Sequence, residues 1–165
     1  MLKDCIRDTN DELNTKSVVE RIIKLTAKDP EIESKFATYD PKDKEAKIIL
    51  RSLYEHEHSE TIVSPNGQTV HLEHIMPLSI GEWNIEEDEH EEYCRRIGNM
   101  TLLHHTLNER IKNSTFNVKK KEYLKSDIPD TKALANLDEW TIKDIENRQD
   151  ELLNRVKEKW PIMQI

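Results

Sequence analysis

Glycine, cysteine and long apolar runs are scarce in this 165-residue chain. Three glycines and six prolines exclude collagen, elastic linkers and low-complexity disorder. The two cysteines, Cys5 and Cys94, have no CxxC spacing, which excludes a disulfide framework and a four-cysteine zinc site. No apolar run approaches the roughly 20 residues of a membrane helix, and the first residues lack the apolar stretch of a signal peptide. We therefore expect a cytoplasmic protein without a membrane association.

Charge is plentiful but unevenly placed along the chain. The formal net charge of −8 argues against a simple DNA-coating protein. Residues 82–92 contain seven acids, whereas residues 105–125 contain six Lys or Arg against two Glu. Such runs are usually solvated surface. An alternative is that the acidic loop 82–92 repels DNA until a partner positions it.

The apolar pattern divides the chain into three parts that are expected to form one compact domain. Residues 1–58 are predicted helical, with a capping-box spacing at 17–20 and Asp-Pro helix starts at 29–30 and 40–41. The helix after Pro41 carries an apolar core face of Ala46, Ile49, Leu50 and Leu53. Residues 127–165 are again predicted helical, with a long amphipathic helix over about 141–159.

In the middle part, residues 59–126, the apolar residues change from helical spacing to the alternating spacing of strands. The β-branched run 61–63, the turn signal 65–67 and the alternating run 68–72 predict a hairpin, with Val70 and Leu72 on one face and Glu73 on the other. An irregular stretch over 78–95 precedes a second short strand at 99–103. Helices follow at about 106–112 and 115–125, the latter burying Phe116, Tyr123 and Leu124. The fold class is therefore α+β, mostly helical, with little sheet.

A carboxylate and an imidazole are adjacent at the end of the predicted first strand, as Glu73 and His74. Hard divalent cations prefer carboxylate and carbonyl oxygens, and an attacking water needs a base with a pKa near 7. At a fraying strand end both side chains could reach one small site. Alone, the dipeptide is equally compatible with a hydrogen-bonded polar residue at a strand end.

Two asparagines flank the second strand nine residues apart. Asn99 follows Gly98, and Asn108 falls in the short helix. An Asn side chain can brace a loop, and its carbonyl oxygen can ligate Mg²⁺ without adding charge. The plain alternatives are that Asn99 is a turn residue and that Asn108 belongs to the start of a helix.

A wider pattern of residues strengthens the chemical interpretation. It runs from Glu73-His74-Ile75-Met76-Pro77 through Gly98-Asn99-Met100-Thr101-Leu102-Leu103 and Asn108 to Asn113, Phe116, Lys119–Lys121 and Tyr123. Over about residues 60–126 this resembles the His-Asn-His-type nuclease domain at the C-terminus of GmrSD type IV restriction enzymes. Leu78 and Met100 depart from the family pattern, but neither is a proposed catalytic group. The resemblance implies a small ββα-metal core within the mostly helical fold.

The resemblance also implies roles for individual residues. His74 would be the general base, and Asn99 would brace the long loop and orient it. Glu73 and Asn108 would hold one Mg²⁺ or Mn²⁺ ion. The basic residues beside Asn108 would contact phosphates; they are Arg110, Lys112, Lys119, Lys120 and Lys121.

The implied function is a metal-dependent DNA endonuclease or nickase module of a restriction-type anti-phage defence system. Relatives carry an N-terminal nucleotide-dependent sensor domain, which this chain is too short to contain, so a sensor domain or separate subunit is expected as a partner. The alternative is a non-catalytic module that binds nucleic acid or a partner on the same scaffold. A weaker reading is a zinc or nickel site built from the remaining histidines, including His56, His71, His90 and His105.

Overall fold

The computed structural model describes residues 29–58 and 69–160. The described elements, in chain order, are α1 (Asp29–Phe36), α2 (Asp43–Glu57), β1 (Val70–His74), α3 (Glu87–Tyr93), a 3-10 turn (Ile97–Asn99), β2 (Met100–His104), α4 (His105–Ile111), α5 (Phe116–Tyr123), α6 (Pro129–Leu134) and α7 (Ile142–Lys159). The protein is thus α+β and mostly helical, as predicted.

The sheet consists of β1 and β2, paired antiparallel with Val70 opposite His104 and His74 opposite Met100. Helix α4 begins directly after β2. The predicted alternation is confirmed, because Val70 and Leu72 pack on one face of the sheet while Glu73 contacts α5 on the other. Along the chain, β1 is followed by α3 and the 3-10 turn before β2 and α4.

Each face of the sheet is covered by its own apolar cluster. One cluster joins the sheet to α1, α2 and α7; it includes Ile32, Phe36, Ala46, Ile49, Leu50, Leu53, Val70, Met100, Leu102, Leu152 and Val156. The other joins the sheet to α4, α5 and α6; it includes Ile75, Met76, Leu103, Ile111, Phe116, Tyr123, Leu134, Trp140 and Ile145. The apolar face predicted for α2 is confirmed as core.

Three details of the predicted helices are wrong. Helix α2 begins at Asp43, two residues after Pro41, where the Lys42 amide donates to the Glu45 carboxylate (3.4 Å). Part of the predicted irregular stretch forms α3, whose first turn places three acids at the positive end of the helix dipole. Leu124 is 53% exposed, because α5 ends at Tyr123.

Helix α6 lies within the part predicted helical, 127–165, but it was not predicted as a separate helix, since its six residues are too few for a clear apolar period. Helix α7 matches its prediction and has a capping box between Thr141 and Asp144. The predicted helix at 17–23, strand at 61–63 and turn at 65–67 lie outside the described residues. The division into three parts stays a prediction. Within residues 29–58 and 69–160, no helix is long and apolar enough to cross a membrane.

Candidate functional site

The Glu73 side chain is enclosed between β1 and α5. Its Oε1 accepts hydrogen bonds from Lys119 Nζ (2.6 Å) and from the Tyr123 hydroxyl (3.0 Å). Burial raises the pKa of Glu73, and the Lys119 ammonium and Tyr123 hydroxyl oppose that rise. Both hydrogen bonds reach the same oxygen, so Oε2 remains available to another ligand.

His74 occupies the last position of β1. Its Nε2 is buried and makes no hydrogen bond with the described residues, and Asp43 at the start of α2 lies nearby (Nε2 to Oδ1, 3.9 Å). Burial lowers the pKa of His74, an effect that Asp43 opposes and that Arg95 and Lys119 reinforce. The imidazole therefore loses its proton at a lower pH than a free imidazole does, and its neutral form has one ring nitrogen able to accept a proton.

The strand does not fray at Glu73 and His74, contrary to the prediction. His74 still pairs with Met100, so neighbouring side chains keep to opposite faces of the sheet. The Glu73 carboxylate accordingly lies against α5, and the His74 imidazole lies beside α2. The structure therefore does not bring the two side chains together on one face of the sheet.

Asn99 is fully buried and saturated with hydrogen bonds. Its Nδ2 donates to the carbonyls of Met76 (2.7 Å) and Cys94 (2.8 Å), and its Oδ1 accepts from the Met76 amide (2.8 Å) and from Trp140 Nε1 (3.0 Å). The Asn99 carbonyl also accepts from the Ile75 amide (2.9 Å). Asn99 thus holds both the chain after His74 and the end of the long loop.

The turn that carries Asn99 is itself clamped by α7. The Gly98 amide donates to Gln149 Oε1 (2.8 Å), and Arg148 Nη1 donates to the carbonyls of Gly98 (3.2 Å) and Met100 (2.7 Å). A Cβ on Gly98 would lie 2.3 Å from the Ile145 carbonyl oxygen. Only glycine fits so close to α7, which explains the Gly-Asn sequence more fully than a turn preference does.

Asn108 lies in α4 and is half-buried. Its Nδ2 donates to the Leu72 carbonyl (3.2 Å), one residue before Glu73 on β1. The side-chain oxygen takes no part in that bond, so it can serve as a neutral oxygen ligand. Unlike Asn99, Asn108 is not at the start of its helix or in a turn.

Glu73 and Asn108 carry a carboxylate and an amide oxygen, the donor types that small hard cations prefer. Each group is oriented by a hydrogen bond through another atom, as is common for metal ligands. The described ranges contain no group of three or more His, Cys, Asp or Glu residues arranged for a metal. Two protein oxygens nevertheless suffice for Mg²⁺, which usually retains several waters. The predicted zinc or nickel site of histidines is accordingly wrong for the described histidines.

The basic residues predicted to contact DNA fall into two groups. Arg110, Lys112 and Lys121 are exposed, and Lys112 adopts a positive φ of 38° at the end of α4. Lys120 Nζ donates to the Leu137 carbonyl (2.9 Å) and is half-buried. Lys119 is fully buried, so its predicted contact with phosphate is wrong for this arrangement.

The acidic stretch lies on the surface and is anchored by a histidine. The acids of α3 are exposed, while His90 is buried with Nε2 2.7 Å from the Pro77 carbonyl. Trp83 donates to the Ser114 carbonyl (3.1 Å), which ties the same loop to the segment between α4 and α5. Cys94 is buried and has no disulfide partner.

Several residues that shape the site were not singled out from the sequence. Tyr123 was expected to be core, and Gln149, Arg148 and Trp140 were not connected to Asn99. The helical spacing of Phe116, Lys119 and Tyr123 is the signal that could have placed Lys119 on the buried face of α5. No sequence period reveals the contacts of α7, because they join residues about 50 positions apart.

One comparison with known proteins gives a match. The family model described as GmrSD restriction endonucleases, C-terminal domain, matches residues 10–155. No curated protein and no solved structure matches the chain.

Proposed function

Because the chain belongs to the GmrSD restriction endonuclease C-terminal domain family, we propose that it is a metal-dependent DNA endonuclease or nickase. A restriction-endonuclease-related nuclease module follows from the family itself. The finer proposal is an His-Asn-His-type site on the ββα segment β1–β2–α4, acting in restriction-type defence. The observation that carries it is the position of His74 at the end of β1, where its Nε2 has no hydrogen-bond partner among the described residues.

His74 would accept a proton from water at one of its ring nitrogens. The oxygen of that water forms a bond to phosphorus as the bond from phosphorus to the 3′-oxygen breaks, and the 3′-oxygen takes a proton from solvent. The products are a 5′-phosphate and a 3′-hydroxyl. A general base of this kind contributes about 10²–10⁴ in rate.

Glu73 and Asn108 would hold one Mg²⁺ or Mn²⁺ ion. The bound ion supplies charge stabilisation at the scissile phosphate and the leaving oxygen. Asn99 fixes the chain on both sides of the site, because it bonds Met76 and Cys94 at once. The half-buried amide of Asn108 is held to β1 through Leu72.

DNA is the proposed substrate, bound mainly through its phosphates. Arg110, Lys112 and Lys121 are the exposed cations that follow Asn108 along the chain. Each phosphate neutralised adds about −0.9 to the salt slope of binding. None of the described helices is suited to reading base edges, so we propose that specificity comes from a nucleotide-dependent sensor domain or subunit.

The test is a nicking assay on supercoiled plasmid with purified chain. We expect relaxed circles with Mg²⁺ or Mn²⁺, no product with EDTA, and nicks that DNA ligase reseals because their ends are 5′-phosphate and 3′-hydroxyl. Absence of cutting at every metal concentration, with or without a sensor partner, would favour the non-catalytic binding module instead.

A further inference from the structure

Lys119 is a fully buried lysine at the centre of the candidate site. Its ammonium donates to Glu73 Oε1 (2.6 Å) and to the His74 carbonyl (2.7 Å). An ammonium removed from water is costly unless a counter-charge and hydrogen bonds replace the lost hydration. Glu73 and His74 provide both, and they are the two residues to which the proposed function assigns ion binding and proton transfer.

We propose that Lys119 is a positioning residue for the nuclease site and makes no contact with DNA. One ammonium joins the side chain of Glu73 to the backbone of His74 and so fixes the last two residues of β1 relative to each other. The inference rests on the proposed function and deepens it.

The helix that carries Lys119 is well placed for this role. Phe116 and Tyr123, one turn on either side, are buried and anchor α5 beneath the sheet. Tyr123 donates a second hydrogen bond to the same oxygen of Glu73 (3.0 Å). Two donors on Oε1 hold the carboxylate in one orientation, and the lysine bond to the His74 carbonyl sets the backbone from which the imidazole projects.

Lys121 provides the matched control. It lies two residues further along α5, so it points away from the buried face, and it is exposed. A lysine that contacts phosphate changes the salt dependence of DNA binding, whereas a lysine that positions a catalytic group changes turnover. The two variants therefore separate the two roles.

The experiment compares Lys119→Met with Lys121→Met in the full chain. For Lys119→Met we expect a Tm lower by roughly 10 °C, since one buried charge loses its partner. At a temperature where circular dichroism shows it folded, kcat for plasmid nicking should fall at least about tenfold, with KM and the salt slope of DNA binding unchanged. For Lys121→Met we expect an unchanged Tm and a salt slope smaller in magnitude by about 0.9.

Two results would overturn the inference. A folded Lys119→Met protein with wild-type kcat would make Lys119 merely structural. A smaller salt slope with an unchanged Tm would make it a DNA contact. Where Lys119→Met does not fold, Tyr123→Phe removes only one hydrogen bond to Glu73. It should lower Tm by a few degrees and kcat by about threefold or more, and wild-type kcat in that variant overturns the inference.

A failure of the proposed function would give different results from a failure of the inference about Lys119. Wild-type protein that nicks no plasmid contradicts the nuclease proposal, and the positioning role then has no reaction to serve. In that case the Tm and salt-slope measurements still decide whether Lys119 is a buried residue that positions Glu73 or a phosphate contact.

The double variant tests the pairing of the two buried charges. Glu73→Gln combined with Lys119→Met should recover much of the Tm lost by Lys119→Met alone, because neither buried charge is left unpaired. No recovery would contradict the Glu73–Lys119 pairing.

Discussion

Two asparagines flank β2, Asn99 directly before the strand and Asn108 in α4 after it, and their surroundings differ. Asn99, before the strand, is fully buried and its side chain makes four hydrogen bonds. Asn108, after the strand, is half-buried and its side chain makes one, through nitrogen. A saturated amide can only hold the structure together, whereas an amide with an unused oxygen can accept a ligand.

The difference assigns Asn99 to the scaffold and leaves Asn108 as the proposed ligand. The segment before β2 is bonded to β1, to the long loop and to α7, so its residues act by fixing distances. The segment after β2 is exposed at Arg110 and Lys112, two of the cations proposed to contact DNA. Four predictions can break or sharpen this contrast.

The largest effect is expected for Asn99→Ala. The change leaves the Met76 amide and carbonyl, the Cys94 carbonyl and Trp140 Nε1 without their partner. Each unsatisfied buried group costs about 1–3 kcal/mol, so the loss should reach about 4 kcal/mol of the roughly 5–15 kcal/mol that stabilises a domain. Urea unfolding measures it. A variant as stable as the wild type would remove Asn99 from the scaffold.

Asn108→Ala should give the opposite pattern. We expect plasmid nicking to fall by about 10² or more, because a ligand oxygen is lost. The free energy of unfolding should change by less than about 1 kcal/mol, since one half-exposed hydrogen bond is removed. Measuring nicking and urea unfolding on the same preparation tests both parts. A strongly destabilised variant would place Asn108 in the scaffold with Asn99.

Gly98→Ala probes the contact between the turn and α7. The added methyl group would lie 2.3 Å from the Ile145 carbonyl oxygen, so backbone must shift. Forcing such a shift costs about 1–3 kcal/mol. Thermal unfolding should show a Tm lower by several degrees. A matched Gly81→Ala change lies where a Cβ would be 3.7 Å from the nearest atom, although its φ of +52° adds strain. A Gly98→Ala protein with the wild-type Tm would mean that close packing at Gly98 has no special importance.

The smallest effect is expected for two exposed lysines, in the variants Lys112→Gln and Lys121→Gln. Each should reduce the magnitude of the salt slope of DNA binding by about 0.9 without lowering stability. Fluorescence anisotropy on a short duplex across a salt series measures the slope. An unchanged slope in both variants would place the DNA path elsewhere on the surface.

The sequence predicted the parts of the fold that depend on the local spacing of apolar residues. The faces of α2 and α7 and the alternation of β1 follow from apolar periods, and they were predicted correctly. The buried role of Lys119 was missed because a run of three lysines resembles a solvated surface. Only the spacing from Phe116 and Tyr123 distinguishes the first lysine from its neighbours.

The remaining gaps concern contacts between distant residues. Gln149 and Arg148 clamp the Gly98 turn from α7, and no local signal links positions about 50 residues apart. The divergence of Glu73 and His74 was missed for another reason. It depends on whether β1 stays paired to its end, which is decided by Met100 on the partner strand.

The central claim is that His74 acts as the proton acceptor in DNA cleavage. The most direct measurement is the rate of plasmid nicking by His74→Ala beside the wild type, with Tm recorded for both. We predict a rate lower by about 10²–10⁴ and a Tm close to the wild-type value, since the ring nitrogen Nε2 makes no hydrogen bond with any residue that the structure describes. A folded His74→Ala protein that nicks plasmid at the wild-type rate would contradict the account.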